Sequence, residues 1–434
     1  MLTLIKNGYI IDPASDREGY FDILLEDDKV MKVGQHIDVE MMSELINRKK
    51  LLVIDASGKY VMPGFIDLHV HLREPGFEYK ETIKTGTMAA AAGGFTSVCP
   101  MPNTNPAIDN ADLVQMILQK SEEEAVVNVL PIGAVTIGQA GKEIVNIHDM
   151  VAAGAVALSE DGKSVVSTAL YAEAMKQAAK CGIPIFAHCE DKSLAGNGII
   201  NAGRKAEELG LAGICNAVED IIVARDILLA KETGVRLHLC HCSTKDSTKM
   251  LALAKEEGLK VTGEVCPHHF TLTEEDIQKD NTDYKMNPPL RSAEDVLALK
   301  EALRDNVIDV IATDHAPHSE EEKSKSMLEA PFGIVGSETA FALVMTELVK
   351  KGYITPRQLV EKMSVNPAEI IGIKRGCIGE GWVADLVIAD PSAEYTIDKN
   401  SFFSKGKNTP FHGRKVVGQI EYTFVAGKLV YEKK

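Results

Sequence analysis

The apolar and polar positions of this chain fall into two styles. From Leu2 to about Tyr60 the apolar runs are short, alternating and divided by Asn, Gly and Asp. Thr3-Leu-Ile-Lys-Asn-Gly-Tyr-Ile-Ile-Asp reads as strand, Asn-Gly turn, strand, and Phe21–Leu25, Lys29–Gly34 and Leu51–Asp55 continue the style. The segment 38–50 is expected to be helix or loop. The end of the chain repeats the pattern in Ala384–Asp390, Gly418–Val425 and Gly427–Tyr431. Two β-rich ends around a different middle predict one small β-sandwich built from residues 1–60 and 376–434, since chain termini often lie close together.

The middle, 61–375, alternates period-two runs with helical ones. The expected strands are Phe65–His71, Phe95–Met101, Val126–Thr136, Ala155–Leu158, Ile183–Cys189, Val235–Cys242, Leu259–Cys266 and Ile308–Asp314. The expected helices are Lys80–Ala92, Asn110–Glu124, Ile144–Ala153, Ser167–Cys181, Ala217–Thr233, Ser247–Glu257, Ala293–Arg304 and Gly336–Lys350. Eight strand–helix units are the arithmetic of an α/β protein with a (β/α)8 TIM-like barrel. A doubly wound open sheet is the alternative, and it would need a Gly-x-Gly-x-x-Gly turn after an early strand, which the sequence does not show.

Composition narrows the function more than the fold. The chain has 434 residues and a formal net charge of −16, which argues against nucleic acid or an anionic membrane as the main partner. An anionic substrate would need a local cationic pocket. No apolar run is long enough to span a bilayer. The start, Met-Leu-Thr-Leu-Ile-Lys-Asn-Gly, lacks the regions of a signal peptide. The eight cysteines form no Cys-x-x-Cys pair, so reduced thiols and a cytoplasmic location are expected.

The chemistry gathers at the predicted strand ends, where a barrel carries its site. In Asp67-Leu-His-Val-His71 the acid and both imidazoles share one strand face, about 7 Å between the histidines. His-x-His alone is a weak signal. The later strands add Asp161, His188, His241 and Asp314, and four imidazoles with two carboxylates form a ligand set for one or two divalent ions, zinc being the commonest. Asp161 suits a bridge between two ions, which could hold a bridging hydroxide as nucleophile, and Asp314 is placed to act as general base and acid. Asp67 shares the metal face, where orienting an imidazole by a hydrogen bond is the simpler role for it. By alternation, Cys240, Cys242 and His238 are expected to face the helices if His241 faces inward, the cysteines as small apolar groups. His268-His269 are read as neighbours of the site and not as ligands, and Arg73 has the alternative of a salt bridge to Glu74 or Glu78.

Several segments carry a resemblance: Pro63-Gly-Phe-Ile-Asp-Leu-His-Val-His-Leu-Arg-Glu-Pro-Gly76, Met101-Pro-Asn-Thr-Asn-Pro106, Ala187-His-Cys-Glu190, Tyr284-Lys-Met-Asn-Pro-Pro-Leu-Arg291, Ala312-Thr-Asp-His-Ala-Pro-His318, Ala330-Pro-Phe-Gly-Ile-Val-Gly336 and Ser404-Lys-Gly-Lys-Asn-Thr-Pro-Phe411. Over nearly its whole length the chain resembles the type I dihydroorotases of the amidohydrolase superfamily. Many members of that superfamily bridge their metals with a carboxylated lysine on strand four. This chain has Leu158-Ser-Glu-Asp-Gly162, like the branch that uses Asp, so Asp161 is the expected bridge and Glu160 the lesser candidate. The resemblance implies zinc-dependent, reversible hydrolysis of dihydroorotate to N-carbamoyl-L-aspartate in pyrimidine synthesis. It implies substrate contacts from His71, Arg73, Asn103, Asn287, His318, Phe332 and Gly333, with Arg73 and Asn103 on the substrate carboxylate and a loop, Asp314–Lys325, closing over the site. A homodimer and association with aspartate transcarbamoylase are the expected protein partners. An allantoinase or hydantoinase, and an inactive scaffold for the transcarbamoylase, remain as rival readings.

Overall fold

The computed structural model describes residues 1–38 and 51–433, so the expectation for 38–50 lies, but for Asp38, outside the described residues. Both ends of the chain enter one eight-stranded sheet. Leu2–Asp12 is its hub: it runs antiparallel to Arg17–Glu26 and parallel to both Leu51–Asp55 and Tyr60–Pro63. Tyr60–Pro63 pairs with Leu386–Thr396, which continues through Lys415–Val425 to Lys428–Glu432. At the other end, Lys29 bridges to Val383, which brings the edge strand Lys29–Gly34 back towards the start of Leu386–Thr396. The sheet thereby folds over a core that includes Ile5, Ile10, Ile23, Val61, Leu386, Ile388 and Phe424.

Phe65 follows this sheet directly and opens the barrel. Barrel strands one to eight are Phe65–Val70, Phe95–Pro100, the pair Asn128–Val129 and Ile132–Ala134, Ala157–Ser159, Ile185–Ala187, Leu237–Leu239, Val261–Val265 and Val310–Ile311. All neighbouring pairs are parallel. Strand three is split at Leu130-Pro131, where proline offers no N–H to the ladder. The ring closes where Val70 bridges to His315 and the His71 N–H donates to the His315 carbonyl at 2.9 Å.

Some helices begin later than the sequence pattern suggests, the first of them because a side-chain cap and not apolar periodicity sets its start. The first barrel helix is Ile83–Ala92: Thr82 accepts from the Thr85 N–H, and residues before it are turns. It stops at Gly93, where a Cβ would lie 2.1 Å from the Ser337 carbonyl oxygen. The last expected helix starts at Ala340 and not Gly336, and passes at Met345 into a π-helical turn. The sequence reading did not name the helical run Pro356–Ile371, which reaches the foot of the barrel, where Arg236 donates to the Ile370 carbonyl at 2.9 Å. Nor did it name the insertion after strand five, in which Ile200–Asn201 pairs with Gly213–Ile214.

Ile66, Leu68, Cys99, Met101, Ile132, Ala157, Phe186, Cys240, Val310 and Ala312 pack into one cluster. They come from seven barrel strands, and side chains from all sides can meet only in the interior. Cys240 therefore points inward, against the expectation from alternation. His238 is inside as well, 3.1 Å from Glu264. Strand six is regular only to Leu239, and His241 sits at φ 34°, in the left-handed region, so the two-residue period ends there. Cys242 does pack in the layer between strands and helices.

Asp67 also departs from expectation. The pairing of strands one and two slips between Asp67 and Val70. The Asp67 carboxylate accepts the Thr313 N–H at 3.0 Å, the Thr313 hydroxyl at 2.6 Å and the His69 N–H at 3.3 Å, and no imidazole. It ties strand one to strand eight beneath the site.

Candidate active site

Six buried side chains meet at the C-terminal mouth of the barrel, with Asp161 in the middle. Asp161 Oδ1 lies 3.4 Å from His69 Nε2, 3.4 Å from His188 Nδ1 and 3.9 Å from His241 Nε2, and Oδ2 lies 3.6 Å from His71 Nε2. Asp314 Oδ1 closes the group, 3.0 Å from His71 Nε2 and 3.5 Å from His69 Nε2. Asp161 thus stands between the pair from strand one and the pair from strands five and six. Glu160 points elsewhere: it accepts from the N–H groups of Val135 and Thr136 and from the Thr136 hydroxyl.

The backbone is bent to make this meeting. Arg73, His241 and Asp314 have φ of 64°, 34° and 46°. Non-glycine residues in that region cost of order 1–3 kcal/mol each and persist only where the surroundings over-determine them. Each bend turns a side chain from a strand end into the mouth.

Like charges and unlike charges are crowded together here. Burial alone would raise the Asp161 carboxyl, but the surrounding imidazoles of His188, His241 and His69 outweigh it and hold it well below the usual carboxylate range. Asp314 is likewise held low against its burial, by the His69 charge and the His71 hydrogen bond. Burial would lower His188, yet bonds to Asp161 and Glu190 push it up to about 9. His71 is lowered by burial and by the nearby Arg73 charge.

The group fits a divalent cation on the evidence of one atom. His69 Nε2 is buried and has no hydrogen-bond partner, although it faces both aspartates. Its other nitrogen, Nδ1, is taken by Glu264 at 2.7 Å. A buried ring nitrogen aimed between carboxylates, with the far ring nitrogen already bonded, is the arrangement of an imidazole ligand.

A cavity of about 200 Å³ opens beside these six and is lined by His71, Arg73, Asn103, Asn287, His318, Phe332 and Gly333 among others. Arg73 is half-buried in this wall. Its Nε donates to the Pro317 carbonyl at 3.2 Å, and among the described residues it makes no ion pair. The salt-bridge alternative is not seen: Glu74 pairs with Lys120 at 2.5 Å, and Glu78 accepts the Gly76 N–H at 2.9 Å. Asn103 lines the cavity and also holds two of the six. Its Oδ1 is 2.9 Å from His71 Nδ1 and its Nδ2 donates to Asp161 Oδ2 at 2.8 Å, so it orients two of the six. His318 lies 2.8 Å from the Phe332 carbonyl through Nε2, which fastens the expected loop across to Phe332-Gly333. Against its burial, the Glu190 carboxylate is held below its ordinary pKa by His188 and then by Asn287, which lies close to it.

Two acids went unnoticed in the sequence. Glu190 lies 3.0 Å from His188 Nε2, leaving Nδ1 to face Asp161. Glu264, wholly buried, reaches His69, His238 and the His241 N–H. The available signal was a lone acid at an inward position of an otherwise uncharged strand, Val261-Thr-Gly-Glu-Val265. His268 and His269 stand apart from the six: they cluster with Cys266, and His269 Nε2 lies 2.8 Å from the Pro288 carbonyl.

Barrel, mouth and donor set together make the chain a metal-dependent cyclic amidohydrolase, and comparison with known proteins narrows the class. A family model described as Dihydro-orotase-like matches residues 58–247. A dihydroorotase of Caldanaerobacter subterraneus subsp. tengcongensis is 48% identical over 433 residues, covering 100% of this chain and 98% of that protein. One of Pelotomaculum thermopropionicum is 49% identical over 432 residues, covering 100% and 99%. Among solved structures, the L-hydantoinase (dihydropyrimidinase) from Arthrobacter aurescens matches with a TM-score of 0.86 at 28% identity, over 99% of this chain and 96% of that one. The chain belongs to the dihydroorotase family.

Proposed function

We propose that the protein hydrolyses the cyclic amide of (S)-dihydroorotate reversibly to N-carbamoyl-L-aspartate, as a step of pyrimidine synthesis. The observation that carries this reading is Arg73: a half-buried guanidinium that pairs with no carboxylate among the described residues and lines the same cavity as Asp314. A planar fork held this way suits a substrate carboxylate.

In this proposal His69, His71, Asp161, His188, His241 and Asp314 hold one or two zinc ions, which when bound polarise the amide carbonyl and acidify a water. Asp314 takes the proton of the attacking water. As the carbon–nitrogen bond breaks, Asp314 returns that proton to the departing ring nitrogen; the carbonyl carbon keeps the water oxygen as a carboxyl group, which releases its remaining proton to solvent and becomes a carboxylate. Arg73 binds the carboxylate that does not react. Asn103 keeps His71 and Asp161 in register, while Asn287, His318 and the backbone at Phe332-Gly333 read the ring's amide edges. Residues 61–375 form the catalytic unit, supported by the sheet of 1–60 and 376–434. No described helix is long and apolar enough to cross a membrane, and a cytoplasmic location is part of the proposal. So are a homodimer and association with an aspartate transcarbamoylase, which light scattering of the protein alone and mixed with the transcarbamoylase tests.

The test of function is an assay of dihydroorotate beside hydantoin and allantoin, with metal analysis of the same protein. Turnover of dihydroorotate in preference to the other two supports the reading. Turnover only of hydantoin or allantoin overturns it in favour of a related hydrolase, and absence of both metal and turnover favours a scaffold.

A further inference from the structure

Glu264 occupies the last inward position of barrel strand seven and has no exposed surface. Its Oε1 lies 2.7 Å from His69 Nδ1 and 3.2 Å from the His241 backbone nitrogen, while Oε2 lies 3.1 Å from His238 Nε2. His238 Nδ1 is in turn 2.9 Å from Thr262 Oγ1. One carboxylate therefore joins strands one, six and seven directly below the mouth.

An ionised carboxylate only accepts hydrogen bonds. His69 must then carry its proton on Nδ1, which leaves Nε2, the orphaned buried atom, facing Asp161 and Asp314. The same oxygen receives the N–H of His241, a residue at φ 34° whose ring enters the mouth only because of that bend. An unsatisfied N–H at this depth would favour relaxation of the bend. His238 occupies the second oxygen, so the carboxylate cannot rotate away from His69 without breaking a bond to strand six.

We infer that Glu264 is a positioning residue: it selects the ring nitrogen through which His69 meets the metal, and it holds His241 in the left-handed turn that brings its imidazole to Asp161. The inference rests on the metal-hydrolase reading above. Glutamine is a poorer substitute: it brings no charge to strengthen His69 as a ligand, and its amide NH2 faces a donor unless His238 changes tautomer. Aspartate, one methylene shorter, cannot reach both strands.

The test measures zinc dissociation constants by chelator competition for the wild-type chain, Glu264→Gln and Glu264→Asp, with the Co(II) absorption spectrum of each. Both variants are expected to bind zinc about 10–100-fold more weakly and to shift the Co(II) bands. Wild-type affinity and spectrum in either folded variant overturn the inference, since a purely structural role would lower thermal stability alone. Wild-type protein labelled with ¹⁵N-histidine and loaded with ¹¹³Cd supplies a measurement that needs no variant. Cadmium coupling at His69 Nε2, with Nδ1 protonated, is expected, and coupling at Nδ1 overturns the inference. A wild-type chain that binds no metal and leaves dihydroorotate unchanged would instead count against the functional reading itself.

Discussion

Arg73 and His318 stand side by side in the wall of the cavity, with the guanidinium Nη2 3.4 Å from the His318 Nε2 and no carboxylate against it. The charge is delivered by backbone and imidazole contacts and left for a ligand. Hydrogen bonds to charged groups contribute about 1.5–3 kcal/mol, so Arg73→Ala is expected to lower kcat/KM for dihydroorotate about 10–100-fold. A neutral cyclic imide should lose little. Equal losses on the two substrates, measured side by side, would show that Arg73 does not read the carboxylate.

Asp314 touches His71 at 3.0 Å and lies 3.5 Å from His69, close enough to ligate and exposed enough to the cavity to exchange protons with a substrate. Asp314→Asn keeps an oxygen ligand and removes the base. A general acid–base group contributes typically 10²–10⁴ in rate, so kcat should fall by about that factor while zinc content stays unchanged. A variant that retains its metal and turns over at a near-normal rate would refute the assigned role.

How the sequence carries this site is instructive. His188 and His241 are legible because each follows a short strand, Ile185–Ala187 or Leu237–Leu239, at the end where a barrel carries its site. His69 and His71 are legible from their spacing. The inward face of Cys240 is not, because alternation assumes extended backbone and His241 abandons it. Glu264 is hidden for another reason: its partners lie 23 and 195 residues away, and only barrel closure brings them together. Asn103 is half legible in the same way: its position after strand two brings it to the cavity, and only the closed ring shows that its amide also reaches Asp161, 58 residues on. Local pattern thus shows which residues reach the mouth, and the closed ring decides which of them answer to one another.

His188 links metal binding to pH. With its pKa pushed up to about 9, the metal-free imidazole is charged at neutral pH, whereas a ligand imidazole must be neutral. Metal loading at pH 7 should therefore release at least one proton from this residue, seen as a buffer-dependent enthalpy in calorimetry. The sign for folding follows. A histidine raised from 6.5 to about 9 stabilises the metal-free fold fully below pH 6.5, and that contribution is lost as pH rises through 9. The chelated protein should lose thermal stability across this window and the zinc-loaded protein should not. Buffer-independent loading enthalpies would show that His188 is already neutral before metal arrives.

Asp67 and Thr313 link fold to function through the seam between strands one and eight. The Asp67 carboxylate takes both the N–H and the hydroxyl of Thr313, and the residues that follow on the two strands are His69, His71 and Asp314. Asp67→Ala leaves the buried Thr313 N–H without an acceptor, which costs about 1–3 kcal/mol. Urea unfolding of the metal-free protein should register that loss. Thr313→Val removes the hydroxyl alone and should cost less. Because the two side chains share one contact, the double variant should lose less than the sum of the singles, with a coupling of about 0.5–3 kcal/mol. Strict additivity would mean that the seam is held by the surrounding packing of Ile66, Leu68, Val310 and Ala312 and not by the carboxylate. If the coupling is found, the same variants should also weaken zinc binding, since the strand that carries Asp314 is then free to shift against the strand that carries His69.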